Sequence, residues 1–217
     1  MPRKCQTTRD LLPYLLNLGV DLDEMQAKLL DRYADLVRER GKTLNLVSAA
    51  DAERVMERHV ADSLAGAPLI PAGTTAVVDI GTGAGFPGIP LAIAHPETRF
   101  VLVDRTRKRV AFLMHVAQVL GLSNAEAVWS PVEKVFSLPG MPDAFDVATV
   151  RAVADTGRAL ELARPLLAEG GIALLWQSPE QDRSEETPAG WTADWVPVES
   201  PDGIERGIRV CRMTADT

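Results

Sequence analysis

At 217 residues the chain has room for one full α/β domain with a small extension, and it is too short for two large domains. Apolar residues make up 46% and charged residues 24%, as in an ordinary globular protein, and no apolar run approaches the roughly 18 residues of a membrane span. The net charge of −7 argues mildly against a general nucleic-acid binder.

The N-terminal Met1-Pro2-Arg3-Lys4-Cys5-Gln6 carries positive charge but no following signal-peptide core, and Cys5 and Cys211 form no CxxC pair. A cytoplasmic protein with free thiols, no metal and no membrane contact is expected. The first third reads as helices. One spans about 8–18 and is closed by Gly19. A second opens on an Asp21-x-x-Glu24 capping box and carries Leu22, Met25, Leu29, Tyr33, Leu36 and Val37 until Gly41. A third begins near Asp51, with Val55, Met56, Val60 and Leu64 before Pro68.

From Thr75 the pattern changes to short strands alternating with helices, the strands being expected at 75–80, 99–104, 125–130, 145–150 and 172–176. The clearest helix spans 108–120, with an apolar stripe of Val110, Leu113, Met114, Ala117 and Leu120 and a stop at Gly121. Such alternation implies a mainly parallel sheet covered on both faces. Two late strands near 194–199 and 207–213 would make seven, the last antiparallel, and 178–190 reads as a loop. Residues 1–70 are then a helical extension packed on a core of residues 71–217.

Charge is unevenly distributed. Arg99, Arg105, Arg107, Lys108 and Arg109 crowd around Asp104, whereas eight acids between Gln177 and Glu205 face Arg183 alone. The acidic run reads as solvated surface. The basic run either meets phosphate or is a solvated helix start.

The segment Ala76-Val77-Val78-Asp79-Ile80 leads directly into Gly81-Thr82-Gly83-Ala84-Gly85. Glycines serve where a backbone turns with positive φ and admits a ligand closely, and in open α/β sheets ligands bind outside the carboxyl end of this strand. Phe86 stands where a dinucleotide fold wants its third glycine, which disfavours a nicotinamide cofactor. Asp79 is placed either to orient the loop or to attract a cation, which suits a sulfonium better than a pyrophosphate. Asp104 ends the next strand, near the roughly 20-residue offset at which an acid accepts from ribose hydroxyls. Together these features predict a Rossmann-like fold that binds S-adenosyl-L-methionine.

Further motifs run from Leu44-Asn45-Leu46 through Arg58-His59-Val60-Ala61-Asp62-Ser63-Leu64 and Asp79 through Pro90 to Leu102-Val103-Asp104 and Lys108-Arg109-Val110-Ala111-Phe112-Leu113. They continue with Val132-Glu133, Arg151-Ala152, Arg164-Pro165-Leu166-Leu167 and Gly170-Gly171. This series resembles the G-type bacterial 16S ribosomal RNA guanine-N7 methyltransferases of the small subunit, also called the glucose-inhibited division protein B family. The resemblance implies a class I methyltransferase, a monomer that acts on 16S ribosomal RNA or a precursor of the small ribosomal subunit. It implies that Gly81 and Phe86 line the methionine and ribose side and that Asp104 holds the ribose. Val132 and Glu133 would contact the adenosine, and Arg151 would close the site. Bland roles stand beside these: Phe86 a loop anchor, Val132 a core residue, Arg151 the partner of Asp146 or Asp155. His59 either takes part in catalysis or packs the extension against the loop, fixed by Asp62.

The sequence departs from the family pattern at Val47, Val150, Gln177-Ser178 and Gly207, where Thr, Ser, Lys-Gly and His are usual. The expected cofactor residues Asp79, Gly81, Gly83, Phe86, Asp104, Val132, Glu133 and Arg151 are intact, and the departures fall on the acceptor side. A small-molecule or protein acceptor, or a non-catalytic cofactor-binding role, therefore stays open. For an RNA acceptor, Arg105, Arg107, Lys108 and Arg109 would meet backbone phosphates.

Overall fold

The computed structural model describes residues 5–44, 46–152 and 155–214, so Asn45 of the Leu44-Asn45-Leu46 motif and residues 1–4 lie outside the described residues. Seven strands form one sheet in the order β3-β2-β1-β4-β5-β7-β6. They are β1 (Ala76–Ile80), β2 (Arg99–Asp104), β3 (Ala125–Trp129), β4 (Phe145–Arg151), β5 (Leu167–Gln177), β6 (Trp191–Glu199) and β7 (Glu205–Met213). β1 to β5 pair in parallel, and β7 runs antiparallel to both β5 and β6. The order reverses beside β1, whose Val78 pairs with Val101 on one side and Ala148 on the other. A ligand site is expected at the carboxyl end of such a switch point.

β1 reads as an unbroken apolar run interrupted only by Asp79 because all five residues are buried between two helical layers. One face of the sheet packs against α5 (Gly88–Ala94), α6 (Arg107–Leu120) and the extension, in which α1 (Thr8–Asn17) and α2 (Glu24–Leu44) bring Leu11, Leu15, Tyr33 and Val37 into one cluster with Phe100 and Leu102. Each such side chain contributes roughly 1.5–3 kcal/mol on burial. The other face buries Val78, Val101, Phe145 and Leu160 beneath α7 (Thr156–Ala163). Among the described residues no helix is long and apolar enough to cross a membrane.

Several expectations are corrected. The capping box of α2 is Asp23 with Gln26, not Asp21 with Glu24: each side chain accepts from the other's backbone N–H, at 2.7 and 2.9 Å. α2 runs through Gly41 to Leu44. Met114 points to solvent at 60% exposure, and Phe112 and Val116 complete the buried stripe of α6 in its place. The third helix starts on Ser48, whose Oγ accepts from Asp51 N, forms α3 (Ala49–Glu53), then widens into a π turn at Met56–Val60 before α4 (Ala61–Leu64). The expected loop at 178–190 contains α8 (Pro179–Ser184), because Ser178 caps it and Gln181 closes the box.

Candidate active site

The carboxyl ends of β1, β2 and β3 open onto a cavity of about 620 Å³. Gly81, Asp104, Val132 and Glu133 line it, with Ser130 and Ala152 between them. Gly81 N and Thr82 N both donate to Val103 O, at 2.9 and 3.1 Å, which clamps the loop across the end of β2. Gly83 has φ +62, and in that conformation its N–H reaches Asp104 Oδ2 at 3.1 Å. Asp104 Oδ1 accepts from Thr106 N at 2.7 Å, and Arg109 pairs with Oδ2 at 3.3 Å. Asp104 is thus a buried acceptor held in place on the wall, and a carboxylate with about four lone-pair sites has capacity left for a hydroxyl. Glu133 stands at the rim, paired with Arg158 at 3.1 Å.

Asp79 lies behind this wall at 1% exposure. Its Oδ2 accepts from Gly88 N at 3.0 Å and its Oδ1 from Thr149 Oγ1 at 2.8 Å. Of the two roles open to it, the geometry gives loop orientation: it fastens the start of α5 to β4. Burial pushes its pKa up to about 6, against the opposing hydrogen bonds from Thr149 and Gly88. The folded value lies above the unfolded 3.8, so its stability contribution is full below pH 4 and is lost as pH rises through about 6. A carboxyl-carbon NMR titration of Asp79 is expected to show a midpoint near 6. A midpoint at the ordinary aspartate value would overturn this burial.

Phe86 does not line the cavity; it anchors the loop in the helical layer. Its ring stacks on His59 at 4.8 Å and tilts against Tyr33 at 5.2 Å. Tyr33 Oη in turn donates to Ala84 O at 2.9 Å, so α2 holds the glycine loop at two points. Arg151 lies 5.9 Å from the Phe86 ring centroid. Its partner is neither Asp146, which accepts from Thr75 and Ala76, nor Asp155, which caps α7. It is the buried Asp62, at 3.2 Å, across 89 residues of chain. Burial draws both partners toward neutrality, lowering the guanidinium and raising the carboxyl, and their mutual attraction opposes it.

Asp62 therefore fixes Arg151, and Arg151 fixes His59. Arg151 Nη2 lies 2.9 Å from His59 Nδ1 and 3.0 Å from Arg58 O. A guanidinium only donates, so Nδ1 accepts and the proton sits on Nε2. Burial first, then the Arg151 charge, hold the imidazole pKa down at about 3, which keeps His59 neutral. The π turn carrying Arg58 and His59 is what brings the ring over Phe86.

A second, smaller pocket of about 240 Å³ lies beside the first, and Ala152 lines both. Ala152 has φ +54, a conformation that costs a non-glycine residue about 1–3 kcal/mol. This pocket is lined by Asp62, Arg151, Gln177, Ser178 and Arg206 among others. Three departures from the family pattern find physical roles around it. Ser178 caps α8. Gly207 leaves room for the Trp195 ring, which a Cβ would overlap. Gln177 Nε2 donates to Thr156 Oγ1 at 2.6 Å beside the Glu185 carboxylate. Val150 is buried in the core at 3% exposure. The acidic run is not uniformly solvated surface. The Asp202 side chain is fully buried and pairs with Arg206 at 2.9 Å, and Asp182 pairs with Arg209 at 3.4 Å, because these arginines of β7 need counter-charges.

The basic residues do not form one face. Arg109 is folded onto Asp104, whereas Arg105, Arg107 and Lys108 are exposed. Arg107 lies 5.6 Å over the ring of Trp129, which is 58% exposed and donates from Nε1 to Arg105 O at 3.0 Å. Sequence reasoning misses Trp129, Ala152 and Arg206 as site residues. An aromatic residue ending an edge strand is the one available signal, for Trp129.

Residues 26–205 match the model of the GidB family, described as rRNA small subunit methyltransferase G. The chain is similar to the protein of that name from Gloeobacter violaceus, 40% identical over 207 residues, covering 93% of this chain and 82% of that one. It is likewise similar to the one from Leuconostoc citreum, 32% identical over 214 residues, 94% of this chain and 90% of that one. Among solved structures it shares its fold with the cofactor-bound Rv0187 from MTB, at TM-score 0.61 and 19% identity over all of both chains. It also shares it with the O-methyltransferase TomG from Streptomyces achromogenes, at TM-score 0.59 and 17% identity, over 99% of this chain and 100% of that one. The chain belongs to the rRNA small subunit methyltransferase G family.

Proposed function

We propose that the chain transfers the methyl group of S-adenosyl-L-methionine to N7 of a guanine in the ribosomal RNA of the small subunit. The observation that carries this reading is a cavity walled by a glycine loop and two acids, joined through Ala152 to a second pocket. The residues fit the cofactor: Asp104 suits ribose hydroxyls, Val132 and Glu133 suit the adenosine, and Gly81 leaves room beside the loop. When bound, the cofactor supplies an electrophilic methyl carbon on a sulfonium. Asp79, Gly83 and Phe86 support this wall from behind rather than touching the ligand.

Guanine N7 carries its lone pair outside the aromatic system and needs no deprotonation. What the chain must supply is then placement, which is worth about 7–11 kcal/mol in well-oriented reactions. The groups nearest the second pocket agree with a placing role, since Asp62 is committed to Arg151 and His59 is held neutral. Tritiated S-adenosylmethionine incubated with this protein and small ribosomal subunits lacking the modification is expected to label the RNA. Label in ribosomal protein, or none, would refute the acceptor.

The exposed face of Arg105, Arg107 and Lys108, with Trp129, offers cations and a stacking surface to that RNA. Arg109 is not part of it. Replacing Arg107 and Lys108 by Ala is expected to reduce the slope of log affinity against log salt by about 0.7–0.9 per lost phosphate contact. Cofactor affinity should not change. Filter binding over several salt concentrations measures this, and an unchanged slope removes RNA from the face.

A further inference from the structure

Gln177 is 8% exposed at the end of β5, on the wall of the smaller pocket, and its Oε1 is buried without a hydrogen-bond partner. Leaving such an acceptor unmade is unfavourable, so its orientation calls for a cause. The cause is on the other side of the amide. Nε2 is 2.6 Å from Thr156 Oγ1 and 3.4 Å from Glu185 Oε2. Thr156 Oγ1 and Thr156 N both donate to that same carboxylate oxygen. Turning the amide over would set its carbonyl against the carboxylate, so the NH2 faces Glu185 and the carbonyl oxygen is left facing away. A second unpartnered group shares the pocket wall: Nη1 of Arg151, a donor fixed by the Asp62 pair.

Position orders these two groups. Arg151 stands on β4 next to Ala152, the residue shared with the cofactor cavity, whereas Gln177 stands one strand further out on β5. A purine entering with N7 toward the cofactor cavity puts its 6-substituent near Arg151 and its 2-position at the far wall. Guanine offers an acceptor, O6, at the first and a donor, the exocyclic amine, at the second. Adenine offers a donor and a bare C–H.

We propose that this pocket takes the acceptor guanine and that Gln177 Oε1 accepts a hydrogen bond from its 2-amino group, making Gln177 the residue that selects the base. The inference rests on the guanine-N7 reading above and concerns this chain's own departure from the family pattern: an amide presents a lone pair where an ammonium would present protons.

The test compares methyl transfer to small subunits reconstituted on ribosomal RNA carrying either guanine or inosine at the modified position. Inosine keeps N7, O6 and N1–H and lacks only the 2-amino group. The wild-type protein is expected to use inosine with kcat/KM about tenfold or more below that for guanine. Gln177→Met should lose about that factor on guanine, chiefly in KM, and use the two substrates equally. Its S-adenosylmethionine affinity should match wild type. Equal use of guanine and inosine by the wild-type protein overturns the proposal without any variant. So does a Gln177→Met protein that still prefers guanine, or one that loses the same factor on both substrates. If the wild-type protein methylates no guanine at all, the guanine-N7 reading itself fails.

Discussion

Gly83→Val is expected to weaken S-adenosylmethionine binding by about a hundredfold, near 2.8 kcal/mol at 1.4 kcal/mol per tenfold, while leaving the protein folded. A Cβ at Gly83 would find open space, with Gly81 O its nearest neighbour at 3.8 Å. The obstacle is the backbone. At φ +62 a β-branched residue is strained by about 1–3 kcal/mol, and relaxing that strain swings the Gly83 N–H away from Asp104 Oδ2. The loop then no longer holds Asp104, the acid proposed to take the ribose. The loop lies beyond the carboxyl end of β1, outside the strand pairing of the sheet, so the fold survives. Calorimetry checks the affinity and circular dichroism the fold. Near-normal affinity in the variant would count decisively against the loop as the cofactor wall.

Arg151→Ala is expected to destabilise the protein by about 3–5 kcal/mol, the usual cost of removing one partner from a buried ion pair. It strands the Asp62 carboxylate, whose side chain is 4% exposed, and removes the donors to His59 Nδ1 and Arg58 O. For a chain of this size that is a drop in Tm of roughly 6–20 °C, at about 2–4 °C per kcal/mol. The sign of the pH dependence is also fixed. Burial raises the Asp62 carboxyl above its unfolded value, and without Arg151 only the more weakly acting Arg206 charge still opposes that rise. The variant's deficit should therefore shrink as pH falls toward the unfolded value and grow as pH rises. Asp62→Asn in the same background should recover part of the loss. A Tm within a degree or two of wild type across pH would mean that the pair does not hold the extension to the sheet.

The sheet was legible because buried parallel strands must be short apolar runs between helical periods, and β1 to β4 fell within a residue or two of expectation. β5 begins five residues earlier than expected, at Leu167, because the strand continues through the Gly170-Gly171 pair, with Gly170 at φ +75. The glycine loop and Asp104 were legible for a related reason, since backbone conformation and a fixed offset write themselves into residue type. The acceptor side was not. The Arg151–Asp62 pair joins residues 89 apart, and the π turn that presents His59 has no composition signature. Ala152 hides a positive φ behind an ordinary residue. Gln177 and Ser178 looked like losses; their roles as network donor and helix cap come from partners supplied by α7 and α8. Asp202 reads as surface charge in the sequence, and its side chain is buried only because three arginines converge on it.

The most direct measurement is mass-spectrometric mapping of the small subunit's ribosomal RNA from the source organism with and without this gene. One guanine is expected to carry an N7 methyl group in the parent and none in the deletion strain, restored by the wild-type protein and not by Gly83→Val. Identical methylation in the two strains, or a lost methyl on any other atom, would contradict the assignment.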